Sequence, residues 1–266
     1  MRIREWVGPP RQNQVPVVTD PRERKSLWFE ITIVLLVTFG TSALSSMFSL
    51  ADSLLAGDLS EQTVALNTAR ASNSLLDLLS QLLGVARLLA WGALGAYLLW
   101  RSGIALRTMG LARADRRDAG HGVGLAALIG LPGLGLYLVA QAIGANLTVA
   151  PSTIDDHWWR LPALCLWAVA NSGAEEILVV AYLVTRLRQL GWGENSSLVA
   201  SALLRGGYHL YQGFGGGLGN VVMGVVFTRY WQRTGRLWPL VVAHALIDIV
   251  AFVGYALLRG RVGWIP

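Results

Sequence analysis

Residues 161–187 read LPALCLWAVANSGAEEILVVAYLVTRL, an apolar run that contains two adjacent acids, Glu175 and Glu176. About 20 predominantly apolar residues suffice to cross a hydrocarbon core, so the run predicts a transmembrane helix. Ionisable side chains at membrane depth are costly, and they usually face a protein interior or an aqueous cavity. The same stretch therefore predicts a membrane fold and the location of a functional site.

The composition of the whole chain excludes most other protein classes. Of the 266 residues, 53% are apolar and only 14% are charged, and the mean hydropathy is +0.47. A soluble domain carries about a quarter charged residues, and a disulfide scaffold needs more than the single cysteine present, Cys165. The chain is therefore expected to be an integral membrane protein.

Further apolar runs predict the rest of the bundle. Four are long enough to cross the membrane: 28–50, 75–100, 123–146 and 237–258. Two shorter runs, 197–211 and 218–231, flank a glycine-rich stretch and predict either short crossings or a re-entrant pair. The expected fold is an all-α, polytopic transmembrane helix bundle of about seven segments, the fifth and sixth of which are short or re-entrant.

The basic residues orient this layout. Counted over alternate loops and tails, 16 of the 22 basic residues fall on the side of the amino terminus and 4 on the other side. Basic residues accumulate in cytoplasmic loops, so the amino terminus is predicted to be cytoplasmic. Membrane topology then accounts for the net charge of +6, and no nucleic-acid partner is predicted. The excess of arginine over lysine, with abundant alanine and glycine, favours a bacterial origin and hence a bacterial plasma membrane.

Polar residues recur at helical spacing in two later segments. Arg205 and His209 are four residues apart, as are His244 and Asp248, so each pair shares one helix face. At 1.5 Å per residue, Glu175, His209 and His244 lie between about 10 and 20 Å from the cytoplasmic side. A glutamate in a low-dielectric pocket can take a proton from water, and an imidazole can donate to an oxyanion. The pattern indicates hydrolysis of a membrane-associated peptide.

Three motifs in this order resemble the CPBP family, which includes CAAX prenyl proteases of the Rce1 type and Abi or bacteriocin-processing proteins. They are AEEILVVAYLVTRL at 174–187, YHLYQG at 208–213 and HALID at 244–248. The resemblance covers about residues 160–258. It implies an intramembrane endopeptidase with a protease core at 160–258. That core lies in a single transmembrane domain, 28–258, between a flexible basic arm, 1–27, and a short tail, 259–266.

The resemblance also implies roles for the site residues. Glu175 would activate water with help from His209, His244 and Asp248 would stabilise the oxyanion, and Glu176 would support the geometry from its neighbouring position. The mechanism is glutamate-dependent and implies no cofactor. A zinc version remains open, in which Glu175, His209 and His244 would be the ligands.

Two positions depart from the family pattern. The first motif usually has an arginine where this chain has Val180, and the second usually has a phenylalanine where this chain has Arg205. Because an unpaired buried carboxylate is costly, we expect Arg205 to replace the missing counter-charge of Glu176.

Other interpretations stay open. The chain could be a non-catalytic immunity or scaffold protein, or a proton-coupled transporter.

Single residues outside the motifs are interpreted as structural. Arg87 is expected to extend towards the interface, or to pair with Asp77 or a lipid phosphate. Asp155, Asp156 and His157 are expected to form a solvated loop. The partners predicted are the lipid bilayer and a membrane-associated protein or peptide substrate; no oligomeric state is predicted.

Overall fold

A computed structural model describes residues 15–111 and 114–258, most of which are helical. The helices are α1 (Pro21–Val37), α2 (Phe39–Ala56), α3 (Ser74–Arg101), α4 (Arg116–Ala142), α5 (Arg160–Glu175), α6 (Leu183–Gln189), α7 (Glu194–Gly207), α8 (Phe214–Thr234) and α9 (Trp238–Leu258). A π-helical turn, Glu176–Tyr182, joins α5 to α6 without a break. The predicted all-α fold is confirmed.

Four helical segments are long and apolar enough to cross a membrane: Ser74–Arg101, Arg116–Ala142, Arg160–Gln189 and Trp238–Leu258. The pair of α1 and α2 would add a fifth if it forms one broken span. Helices α7 and α8 fall short because α7 is short and α8 carries many glycine and polar residues. A multi-span bundle is confirmed, whereas the count of seven is not.

The first predicted span differs most from the expectation. Helix α1 begins at Pro21, where Asp20 accepts a hydrogen bond from the backbone N–H of Glu23 at 2.8 Å, rather than at residue 28. The two helices meet at the buried Thr38, where the chain bends by 51°. Part of the predicted arm is therefore helical, while residues 1–14 and the predicted tail 259–266 lie outside the described residues.

A small sheet was not predicted. Strands β1 (Thr63–Asn67) and β2 (Thr148–Ser152) pair in parallel, with Thr63 opposite Thr148. The local sequence of β1 gives no sign of a partner strand 85 residues away. Because β1 leads into α3 and β2 leads into α5, the sheet joins the same ends of these two helices.

The helix that carries the glutamate pair lies at the centre of the bundle. In the segment Arg160–Gln189, 61% of the most apolar window is buried, against 33% or less in the other three spans. Helix α3 packs closely on one side, since a Cβ built on Gly92 would lie 3.3 Å from the Cα of Ala174. Helix α9 packs on another side.

Arg186 connects the end of this central segment to α1 and to the end of α3 by hydrogen bonds. Its Nε donates to Glu30 of α1 at 2.8 Å, and its Nη1 donates to Ser102 at 2.9 Å and to Gln189 at 2.8 Å. Its Nη2 donates to the Leu98 carbonyl oxygen at 2.9 Å. All three guanidinium nitrogens of this buried side chain therefore have hydrogen-bond partners.

Candidate active site

The glutamate pair lies where α5 passes into the π-helical turn. Glu175 is the last residue of α5 and Glu176 is the first of the turn. Both side chains are buried, with residue exposures of 2% and 0%. Single π-helical turns in α-helices occur frequently at functional sites.

Side chains from two other helices contact the Glu176 carboxylate. Its Oε1 accepts a hydrogen bond from Nη2 of Arg205 at 2.6 Å and lies 2.9 Å from Nδ1 of His244. Arg205 is fully buried in α7, and His244 is buried in α9. The counter-charge expected for Glu176 is therefore at hydrogen-bond distance.

Glu175 is held through both of its oxygens. Asn171, one turn earlier in α5, donates to Oε1 at 3.0 Å, and the Tyr208 hydroxyl donates to Oε2 at 2.5 Å. Nη1 of Arg205 lies 3.7 Å from Oε2. Sequence analysis missed Asn171 and Tyr208, although the i, i+4 spacing of Asn171 from Glu175 was a usable signal.

His244 and Asp248 lie together, but less closely than expected. His244 Nε2 is 3.7 Å from Asp248 Oδ2, beyond hydrogen-bond distance, and the nearer partner of the imidazole is Glu176. The Asn171 amide donates to Asp248 Oδ2 at 3.3 Å as well as to Glu175. Asn171 therefore connects the first motif to the third.

His209 occupies the turn after α7 and does not hydrogen-bond to Glu175. Its Nδ1 lies 3.2 Å from Nε2 of Gln212, and its ring packs against Tyr208 with centroids 4.8 Å apart. Its Nε2 is buried and has no hydrogen-bond partner among the described residues. Tyr208, and not His209, makes the direct contact with the carboxylate.

The turn that carries His209 is fixed by residues from outside the three motifs. The Ser46 hydroxyl of α2 accepts a hydrogen bond from the Tyr211 backbone N–H at 2.6 Å. Asn146 accepts one from the Gly216 backbone N–H at 3.1 Å and forms a bridge with Gly213. Gly213 has a φ of 107°, and a Cβ there would lie 2.5 Å from the Asn146 side chain, so the approach requires glycine.

No three histidine, cysteine, aspartate or glutamate side chains among the described residues are grouped as a metal site needs. The possible zinc ligands Glu175, His209 and His244 are therefore not grouped as a ligand set. In the 155–157 loop, Asp156 is exposed and pairs with Arg160 at 3.0 Å. His157 stacks on Trp159 with centroids 5.2 Å apart.

A family model matches the part of the chain that carries the glutamate pair. The model of a family described as type II CAAX prenyl endopeptidase Rce1-like matches residues 157–250. This segment is an Rce1-like domain. The comparison with curated proteins and the comparison with solved structures each found no match.

The Rce1-like domain covers roughly a third of the chain, and the described residues that hydrogen-bond to the glutamate pair all lie within it. Helices α1–α4 lie outside it. With its apolar helices, the chain is a multi-pass membrane protein whose Rce1-like domain indicates a protease of the CAAX type.

Proposed function

We propose that the protein is an intramembrane endopeptidase that hydrolyses peptide bonds of membrane-associated proteins or peptides, with Glu175 as the base. The unpartnered polar atoms of the buried cluster carry this proposal. Buried polar groups in folded proteins are almost always hydrogen-bonded. Glu176 Oε2, Arg205 Nη1 and His209 Nε2 are buried without a hydrogen-bond partner among the described residues, and these three atoms lie around the glutamate pair.

The nucleophile in this mechanism is water. Asn171 and Tyr208 hold the Glu175 carboxylate in one orientation. Glu175 takes a proton from water while Nε2 of His209 orients the oxygen, and the hydroxide attacks the peptide carbonyl carbon. The C–N bond then breaks, and the proton held by Glu175 passes to the leaving amine.

The third motif stabilises the charge that develops on the carbonyl oxygen. A protonated imidazole donates through both nitrogens. With Nδ1–H directed at Glu176, His244 presents Nε2–H next to Asp248, where it can donate to the oxyanion. Arg205 balances the charge of Glu176 so that the imidazole stays oriented.

The experiment is reconstitution of the protein with membrane proteins in proteoliposomes, followed by mass-spectrometric profiling of the released peptides. Wild type is expected to release peptides that are absent with Glu175→Ala and His209→Ala, while Glu61→Gln, an exposed carboxylate outside the site, behaves as wild type. Identical profiles from wild type and both site variants would overturn the protease proposal and favour a non-catalytic protein. Loss of cleavage with a zinc chelator, restored by zinc, would favour the zinc version.

We also propose that the protein lies in a bacterial plasma membrane with a cytoplasmic amino terminus, which the distribution of basic residues supports. In a Cys165→Ser background, the Thr153→Cys variant is expected to react with an impermeant maleimide on intact cells. The Arg107→Cys variant is expected to react only after lysis. The opposite pattern would reverse the orientation.

A further inference from the structure

Arg87 is a charged, exposed residue in the middle of a membrane span. It is the fourteenth residue of the 28-residue helix α3, about 20 Å from either end of that helix. Its guanidinium lies 5.5 Å from the centroid of the Trp91 ring. At this depth in the helix, the arginine side chain is too short to reach either helix end. Charged groups at such depth usually face a protein interior or an aqueous cavity, which makes Arg87 a candidate functional residue.

Arg70 reaches the same side of α3 from the segment that precedes the helix. Its guanidinium lies 4.9 Å from the Trp167 ring centroid, and its Nη1 would be 3.2 Å from a Cβ built on Gly84. Gly84 is three residues before Arg87, on the same helix face. Burial, followed by the nearby charge of Arg87, lowers the pKa of Arg70, while Asp77 acts in the opposite direction.

These two cations have no acidic partner in an ion pair. The expected pairing of Arg87 with Asp77 does not form, because that carboxylate accepts from the Arg70 backbone N–H at 2.8 Å and from Gln81 at 3.0 Å. No ion pair between the described residues includes Arg70 or Arg87. The pair is therefore equipped to receive an anion.

Arg87 lies at about the level of the candidate active site along the neighbouring helix. Helices α3 and α5 are in register through the Gly84–Trp167 and Gly92–Ala174 contacts, so Arg87, which lies between them, is within about one turn of the level of Asn171. A series of aromatic contacts connects Arg87 to the glutamate pair. Trp91 packs on Phe39 at 5.4 Å, and Phe39 packs on Tyr208 at 4.9 Å, the residue that donates to Glu175.

We infer that Arg70 and Arg87 form a binding site for a carboxylate on the peptide substrate, close to the bond that is cleaved. The inference rests on the proposed function and adds a substrate class to it. Two planar guanidiniums match the bidentate geometry of a carboxylate. The depth of Arg87, about 20 Å from either helix end, favours a group carried on a membrane-embedded peptide over a lipid headgroup phosphate.

The test begins with binding to the Glu175→Gln protein in neutral detergent, because this variant is expected to cleave substrate far more slowly than wild type. The probes are dodecanoate, its uncharged methyl ester and dodecyl phosphate, and the readout is the thermal unfolding midpoint. Dodecanoate is expected to raise the midpoint of Glu175→Gln alone and in combination with Arg107→Gln, an exposed control. It is expected to leave the midpoint unchanged when Arg70→Gln and Arg87→Gln are added, and the methyl ester is expected to have no effect.

Arg87→Lys keeps the charge without the planar fork, so it separates loss of the site from failure to fold. In the absence of probe, this variant is expected to unfold at the wild-type midpoint. Dodecanoate is expected to raise that midpoint by less than it does when Arg87 is present. Equal stabilisation with and without the two arginines, or a response to dodecyl phosphate alone, would overturn the inference.

A second arm uses the peptides released from proteoliposomes. Wild type is expected to cleave peptides that carry an acidic side chain or free carboxyl terminus near the cut at least tenfold faster than their amide counterparts. In the double arginine variant this ratio is expected to fall to about one, while neutral peptides are still cleaved; an unchanged ratio would refute the inference. If Glu175→Gln cleaves like wild type, the proposed function fails instead, and the binding result stands by itself.

Discussion

At the scale of single residues, the site depends on a buried charge balance that departs from the resembled family. Arg205 stands where that family has phenylalanine, and Val180 stands where it has arginine. In the structure Arg205 donates to Glu176 at 2.6 Å, and both side chains have no exposed surface. Removing one partner of a buried pair leaves an uncompensated charge, which typically costs about 3–5 kcal/mol.

We therefore expect Arg205→Ala to abolish cleavage and to destabilise the protein by several kcal/mol, because Glu176 loses its counter-charge. The double variant Val180→Arg/Arg205→Phe returns the cation to the position of the family pattern and is expected to recover part of both. Released peptides and the thermal unfolding midpoint are the measurements. If Arg205→Ala cleaves at the wild-type rate, Arg205 has no part in the site.

Tyr208 and Asn171 both act on the Glu175 carboxylate, which makes them positioning residues. Tyr208→Phe deletes one hydroxyl and is expected to lower kcat about tenfold or more with little change in KM, since a hydrogen bond to a charged group contributes about 1.5–3 kcal/mol. Asn171→Ala is expected to act similarly, and the double variant is expected to lose less than the product of the two effects. Fully multiplicative effects, or a change in KM alone, would contradict a shared action through Glu175.

At the scale of elements, the hairpin of α7 and α8 delivers Arg205, Tyr208 and His209 to the central helix. The two helices approach closely through glycines: a Cβ on Gly206 would lie 2.3 Å from Val221 Cγ2 and 2.9 Å from the Gly217 carbonyl oxygen. Because Gly206 follows Arg205 directly, any separation of the hairpin moves the cation relative to Glu176.

Gly206→Ala is accordingly expected to destabilise the protein by about 1–3 kcal/mol through overpacking and to lower activity beyond that. Gly124→Ala in α4 is the matched control, because its added Cβ would meet nothing within 4 Å. It is expected to be neutral or slightly stabilising, since alanine is a better helix former. Unfolding in detergent measures both; equal stability of the two variants would show that the close approach is dispensable.

At the scale of the whole molecule, the sequence predicts helices and motifs better than it predicts how they meet. The spacing of His244 and Asp248 places both on one face, and they lie 3.7 Å apart in the structure. The bend at Thr38, the pairing of β1 with β2 and the contact between Tyr208 and Glu175 are set by tertiary packing between segments distant in sequence. Such contacts leave no local pattern, so the bond from Tyr208 to Glu175 could not be predicted from the sequence.

A group of ion pairs at the periphery predicts that stability depends on pH. Arg236, just before α9, lies 2.8 Å from Asp115 and 2.7 Å from Asp118 at the start of α4. The hydrogen bond from Arg236 lowers the pKa of Asp115. A lowered folded-state pKa contributes stability above the unfolded value, and this contribution is lost as the pH falls through the folded value.

Arg236→Gln is therefore expected to be less stable than wild type at neutral pH, with a difference that shrinks as the pH falls below about 4. Thermal unfolding midpoints between pH 3 and 7 provide the measurement. A stability difference that grows in acid would contradict the assignment.

The central claim is that Glu175 removes a proton from the attacking water. The most direct measurement is the initial rate of peptide release in proteoliposomes made with wild type, the isosteric Glu175→Gln and the exposed control Glu61→Gln, in water enriched in oxygen-18. The proposed mechanism predicts a carboxyl terminus labelled from solvent, full activity of Glu61→Gln and a loss of at least about a hundredfold with Glu175→Gln, in the range of a general base. Equal rates for wild type and Glu175→Gln would contradict it.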